Sequence, residues 1–311
     1  MDGVQRFGTL VSTGMTRSQV DALPRVGGLR GLRLFAADDD DPRMVRIHAA
    51  LDVAPRGAVL SGWAAGVVHG IPEDMLDGTW DGVVERPVEL IVPMTLGQWQ
   101  RRGVRLWRGP VATADTLPYR GAAITSGVRT AVDLARWSRF PPRALAMLDM
   151  SLRHGLTDRA ELAAYLPLLK GYRGIALARD ATPFISARAE SPKESELRHY
   201  WLEAGLPPPL VNAEIYDPEG FLVGRVDLLE PESGYCAEFD GHWHQMWGRP
   251  EADARRAGRL TALNLTMDVF TRSDLGGDGS STVLARLVDG QRRALARDRR
   301  HDAWHCPQHG L

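Results

Sequence analysis

Residues 224–245, GRVDLLEPESGYCAEFDGHWHQ, hold five acidic residues, three of them in its two apolar runs, and two histidines, and this stretch restricts the fold more tightly than any other. Asp227 lies in one apolar run, RVDLL, and a turn follows at PESG. A second run, YCAEFDG, carries Glu238 and Asp240. Side chains two apart on a strand share a face. A hairpin built from these runs would gather three carboxylates beside His242 and His244. Carboxylates that close repel one another and are costly unless protonated or neutralised by a cation. Stability alone gives little reason to build such a cluster, so the stretch predicts a metal-dependent site.

The flanking sequence extends the hairpin into a layered domain. Around 181–193 the chain turns polar and irregular. A helix then opens with Ser191 as N-cap, Pro192 at the first position and Glu194 three residues on. LVNAEIYDPEGFLVGRVDLLEPESGYCAEFDG predicts three strands joined at DPEG and PESG. A helix over 250–264, a fourth strand in LTMDVFTRSDL and a closing helix in STVLARLVDGQRRALARD complete the order α-β-β-β-α-β-α. That order predicts an α/β sandwich with a mixed sheet. The tail HDAWHCPQHGL offers His301, His305, Cys306 and His309 as zinc ligands. They crowd together with no distant second pair of ligands, so a disordered tail is the preferred reading.

The N-terminal segment, 1–36, predicts a compact winged-helix-like unit. It consists of a short helix over 4–12, a second helix capped by Thr16 with Gln19 completing a capping box, and a small wing in GGLRGLRLFA. In such a unit early residues of the second helix, here Arg17 and Gln19, face base edges, and Arg30 and Arg33 are further DNA-binding candidates. DDDD at 38–41 repels phosphate and marks a linker. The middle region, 43–180, predicts α+β structure. It has helices over 43–53, 60–70, 127–138, 143–155 and from 157, and strands at VELIVP, VRLWRG and AAITS. Arg129, Asp133 and Asp149 predict a helical ion-pair network rather than catalysis. A nuclease-like domain over 186–295 and a tail over 296–311 follow.

With 311 residues the chain has room for two domains or more. Two cysteines, Cys236 and Cys306, make no disulfide framework. The N-terminus lacks the apolar core of a signal peptide, and no apolar run reaches membrane-spanning length. These features predict a cytoplasmic protein with no membrane partner. All but two of the 38 basic residues (Lys170 and Lys193) are arginine. A bias spread over the whole chain locates no site, and the net charge of −1 names no partner.

The last domain resembles the very-short-patch-repair (Vsr) endonuclease-like group of the PD-(D/E)XK nuclease superfamily. The resemblance rests on SPKESELR, LPPPLVNAEIYDPEGFLVGRVDLLEP, CAEFDGHWH and the D-x-x-R-x-x-x-L of Asp253, Arg256 and Leu260. The N-terminal portion resembles the abortive-infection (AbiEi) type IV antitoxin-like region in GMTRSQV, GGLRGLRLFA, LSGWAAGVVHGI and ITSGVRTAVDLAR. The first resemblance implies a restriction-endonuclease-like α/β domain with a mixed central sheet. It also implies roles: Glu194 as the acid of the first helix, and Asp227 and Glu238 as ligands of Mg²⁺ or Mn²⁺. Asp240 occupies the position of the motif lysine, and His244, more than His242, matches the histidine that follows. The late-strand arginine of such domains has no clean counterpart.

Phosphodiester hydrolysis needs an activated water and charge relief at phosphate, and a divalent ion held by carboxylates supplies both. Without the motif lysine, more of the proton transfer would fall to His244. Two readings follow. One is a metal-dependent DNA endonuclease with a DNA-binding N-terminal module. The other is an antitoxin-like transcriptional regulator whose nuclease fold only grips DNA. An RNA-directed nuclease would use the same chemistry, and the antitoxin-like region leaves a toxin or a second copy of the chain open as partner.

Overall fold

The computed structural model describes residues 4–23, 32–34, 41–76, 86–241, 256, 258–275 and 280–309. The architecture is α+β, with mixed sheets. The chain divides into two compact units: Met1–Trp137 with Leu156–Tyr165, and Ser138–Gly155 with Leu166–Leu311. No helix among the described residues is long and apolar enough to cross a membrane.

In the first unit the chain opens on a strand, β1 (Val4–Arg6), where the local pattern predicts helix. β1 pairs antiparallel with β2 (Leu32–Leu34) in the register Val4↔Leu34 and Arg6↔Leu32. Only that distant partner makes the segment extended, so local propensity could not reveal it. Helices Phe7–Ser12 and Arg17–Ala22 lie between the two strands. The second begins at the expected capping box. Thr16 Oγ1 accepts from Gln19 N, and Gln19 Oε1 accepts from Thr16 N at 2.9 Å.

The first unit also holds a five-stranded sheet. Its strands are β3 (Val59–Leu60), β4 (Val88–Val92), β5 (Val104–Arg108), β6 (Thr116–Tyr119) and β7 (Ala122–Thr125), in the order β5-β4-β3-β7-β6. β3 and β6 are additions to the three strands expected there. Ser61 stands at the N-cap of helix Gly62–Val68, as expected, but its hydroxyl donates to Asp133 Oδ2 at 2.8 Å. Glu89 of the buried strand β4 meets the helix start instead. Gly62 has φ +62, and a Cβ there would lie 2.0 Å from Glu89 Oε2. Burial raises the Glu89 pKa, opposed by neighbouring arginines and hydrogen bonds from Trp107 and the Trp63 amide. The network expected of Arg129 and Asp133 is present. Arg129 Nε meets Asp133 Oδ2 at 3.0 Å and Arg129 Nη1 meets Asp115 Oδ2 at 3.3 Å, with Arg129 and Asp133 both buried.

The second unit is built on a four-stranded sheet. Its strands are β8 (Leu210–Tyr216), β9 (Leu222–Glu230), β10 (Tyr235–Asp240) and β11 (Thr266–Thr271), in the order β11-β10-β9-β8. β8 pairs antiparallel with β9 and β9 with β10, whereas β11 is parallel to β10. The β9–β10 turn closes at Gly234 (φ +69), a conformation that costs a Cβ-bearing residue strain. Alternation along β10 sends its residues to opposite layers. Tyr235 stacks on Trp201 of helix Pro192–Glu203, with ring centroids 5.0 Å apart. Cys236 joins Leu229, Leu260, Leu265 and Cys306 in an apolar cluster.

This unit reaches further along the chain than the expected 186–295. Helix Pro141–Arg153 belongs to it, because the buried Asp149 receives Arg198 Nη2 of helix Pro192–Glu203 and the Ser186 amide at 2.7 Å. The tail is a second correction. It is ordered: His305 forms an antiparallel bridge with Tyr216 through two 3.0 Å backbone hydrogen bonds, and Cys306 is buried. Gln308 Oε1 accepts from the Glu214 amide at 3.1 Å. The tail therefore covers the β8 edge, which would otherwise expose unpaired backbone groups.

Candidate active site

β9 and β10 pair through Tyr235↔Glu230, Cys236↔Leu229 and Ala237↔Leu228, and there the ladder stops. The next position in that register sets Glu238 opposite Asp227. In place of a ladder bond, the Phe239 amide donates to Asp227 Oδ2 at 2.8 Å. β10 itself continues beside β11 as far as Asp240↔Thr271. The hairpin thus splays at the two acids that the sequence singles out.

β8 contributes from the other side. Its register, Val211↔Leu228 and Ala213↔Val226, sets Asn212 opposite Asp227. Asn212 adopts a left-handed φ of +49, a conformation that Asn tolerates better than most residues. Its Nδ2 donates to Glu194 Oε2 and to the Arg188 carbonyl, both at 2.8 Å. Glu194 stands in the first turn of helix Pro192–Glu203, where its amide donates to the Ser191 cap at 3.2 Å. Its Oε2 also accepts from the Glu190 amide at 2.8 Å. Two donors therefore hold the Glu194 carboxylate in one orientation.

The acids feel one another. The Asp227 carboxyl is pushed up to about 7, first by burial and then by the charge of Glu194. Glu238 adds to the rise, while the Phe239 hydrogen bond and Arg256 oppose it. Glu238 is 12% exposed and forms a bidentate pair with Arg256, Nη1 to Oε1 at 2.9 Å and Nη2 to Oε2 at 3.0 Å. Arg256 Nη1 also donates to the Arg225 carbonyl at 2.8 Å. Gly224 makes room for this arrangement, since a Cβ there would lie 3.2 Å from Arg256 Cδ.

Glu194, Asp227 and Glu238 thus come together within electrostatic range. Among the described residues, however, no group of three His, Cys, Asp or Glu is already disposed as a metal cage. Asn212 and the Glu190 amide hold Glu194, and Arg256 holds Glu238. Asp227 and Glu238 are nevertheless hard oxygen donors set opposite each other, and burial together with the Glu194 charge holds the Asp227 carboxyl well above the usual aspartate range. That donor set suits Mg²⁺ or Mn²⁺. Asp240 is exposed at the end of β10. His242, His244 and Asp253 lie outside the described residues.

Sequence reasoning assigned no site role to Arg256 or Asn212. The signal for Arg256 was the D-x-x-R-x-x-x-L pattern itself, an arginine one helical turn before the buried Leu260. Asn212 left no signal, because its importance comes from a backbone conformation and a cross-strand register.

The expected DNA-facing residues of the N-terminal segment separate. Arg17 and Gln19 are exposed, although the Gln19 carbonyl is engaged by its own cap. Arg33 is a correction: it is 6% exposed and turned inward. It donates to the Val20 carbonyl and to Asp21 Oδ1, both at 2.9 Å, with its guanidinium 5.3 Å from the Phe7 ring centre. Burying the aliphatic stem and satisfying the fork here makes Arg33 a brace between strand and helix rather than a phosphate contact. Arg30 lies outside the described residues.

Two proteins from Mycobacterium tuberculosis are similar to this chain along most of its length. Uncharacterized protein Rv2248 (strain ATCC 25618 / H37Rv) and uncharacterized protein MT2308 (strain CDC 1551 / Oshkosh) are each 34% identical to it over 291 residues. The match covers 90% of this chain and 100% of each relative. No family model matches the chain, and no solved structure does.

Proposed function

We propose a function for a chain that belongs to the family of these two mycobacterial proteins: a divalent-metal-dependent DNA endonuclease. Its second unit would be a restriction-endonuclease-like PD-(D/E)XK domain of the Vsr-like type, and its N-terminal segment a winged-helix-like DNA-binding module. One observation carries the reading. The β9–β10 hairpin opens where Asp227 and Glu238 face each other, and Glu194 adds its charge to the same place. Mg²⁺ or Mn²⁺ held by Asp227 and Glu238 would lower the pKa of a bound water and relieve charge on the scissile phosphate.

The chain's own residues prepare that chemistry. Burial and the Glu194 charge raise the Asp227 pKa to about 7, and a cation beside it would favour the ionised, metal-binding form. The Phe239 amide orients Asp227 through Oδ2, and Asn212 with the Glu190 amide orients Glu194. The resemblance assigns proton transfer to His244, with Asp240 at the lysine position.

A second reading has its own observation. Arg256 already neutralises Glu238, as expected of a nuclease fold that grips DNA without cutting. One assay separates the two. The full-length protein, Asp227→Ala and Glu238→Ala are incubated with supercoiled and mismatched duplexes and with RNA, in Mg²⁺ or Mn²⁺. The endonuclease reading expects metal-dependent cutting of DNA, slowed more than about a hundredfold in both variants. Equal background cutting by all three proteins would sink it. Retention of duplex without cutting would support the regulator, and cutting confined to RNA would change the substrate.

A further inference from the structure

Arg256 is the cation that Glu238 holds in this structure, and its position is specifically accommodated. Both guanidinium nitrogens of the fork meet both carboxylate oxygens, at 2.9 and 3.0 Å. The Arg225 carbonyl takes a further hydrogen bond from Nη1, and Gly224 leaves the side-chain stem room to lie across β9. Bidentate pairs of this kind are the stronger class of charged hydrogen bond. A carboxylate has a limited set of lone pairs, and here one guanidinium takes both oxygens. The fork takes one lone pair on each oxygen, and a hard divalent ion brought to the same face of Glu238 would meet both those occupied pairs and the guanidinium's like charge, so the two cations compete.

From this geometry we infer that Arg256 is an internal gate on the metal site. A divalent ion binds Glu238 only as Arg256 leaves it, and the released guanidinium is then available to a phosphate oxygen, whose geometry matches its fork. Binding of the ion and of a phosphodiester therefore favour each other. This inference rests on the metal-dependent reading above.

The test is Mn²⁺ binding to the full chain, followed by the loss of the free-ion signal in electron paramagnetic resonance, for wild type, Arg256→Gln and Arg256→Lys. The gate expects Arg256→Gln to bind Mn²⁺ about tenfold more tightly, within the usual range of coupling between two ligands. Arg256→Lys keeps the charge but loses the bidentate grip, and it should fall between the two. Equal affinity in all three proteins would overturn the gate. So would a lysine variant as weak as wild type beside a tight glutamine variant, because that pattern reports a general field rather than an occupied carboxylate. No Mn²⁺ binding by any of the three would instead bring down the metal reading itself.

Discussion

Asp227 keeps its proton in a range where an aspartate in water has long lost it. Its pKa moves from the ordinary 3.8 to about 7 on folding, through burial and then the nearby charge of Glu194. Folding therefore favours the protonated form. Below the unfolded value both states are neutral and no penalty arises. As pH rises toward 7 the unfolded chain ionises while the folded one resists, so stability is lost across that window and levels off above it. Asp227→Asn removes the penalty. Without divalent ions, its stability advantage over wild type should grow by about 1–3 kcal/mol between pH 4 and pH 8 in denaturant titrations. A gap that does not change with pH would mean that folding does not raise the Asp227 pKa. The residue type and spacing of Asp227 and Glu238 were legible in the sequence because strand alternation is simple. Arg256 on Glu238 was not, because that contact joins a helix to a strand 18 positions away.

At the scale of elements, what was legible followed local rules. The caps at Thr16, Ser126 and Ser191 each accept the amide three residues on. Ser61 obeyed the same rule in position only, because Asp133, 72 positions away, takes its hydroxyl. The strands β1, β3 and β6 were missed because each is short and is made extended by its partner. The tail was misread for a related reason. Its polar composition suggests disorder, yet it gains order by pairing with Tyr216 and burying Cys306 beside Trp304. Deleting residues 299–311 should therefore cost about 2–4 kcal/mol, from the apolar area of Cys306 and Trp304 and the lost backbone pair. Urea denaturation measures that cost, and hydrogen exchange should show the Tyr216 amide losing protection. Unchanged stability and unchanged exchange would mean that the tail does not hold the β8 edge.

For the whole molecule, sequence order suggested a nuclease-like domain starting near 186, whereas the compact unit also takes in Ser138–Gly155. The reason is the buried charge of Asp149, which is satisfied by Arg198 and the Ser186 amide. A pattern read in short windows sees a helix at 143–155 but not which unit will neutralise its aspartate. The α+β class, the three antiparallel strands and the later strand and helix came through because they sum many short-range signals, while most of the helix expected over 250–264 lies outside the described residues. The central claim is that Asp227 and Glu238 together hold a divalent ion in a phosphodiesterase centre. The most direct measurement is anomalous scattering from Mn²⁺ in crystals of the full-length protein. The account predicts one strong Mn²⁺ peak shared by the carboxylates of Asp227 and Glu238, with Arg256 withdrawn from Glu238. Saturating Mn²⁺ that leaves no peak there, with Arg256 still paired to Glu238, would contradict it.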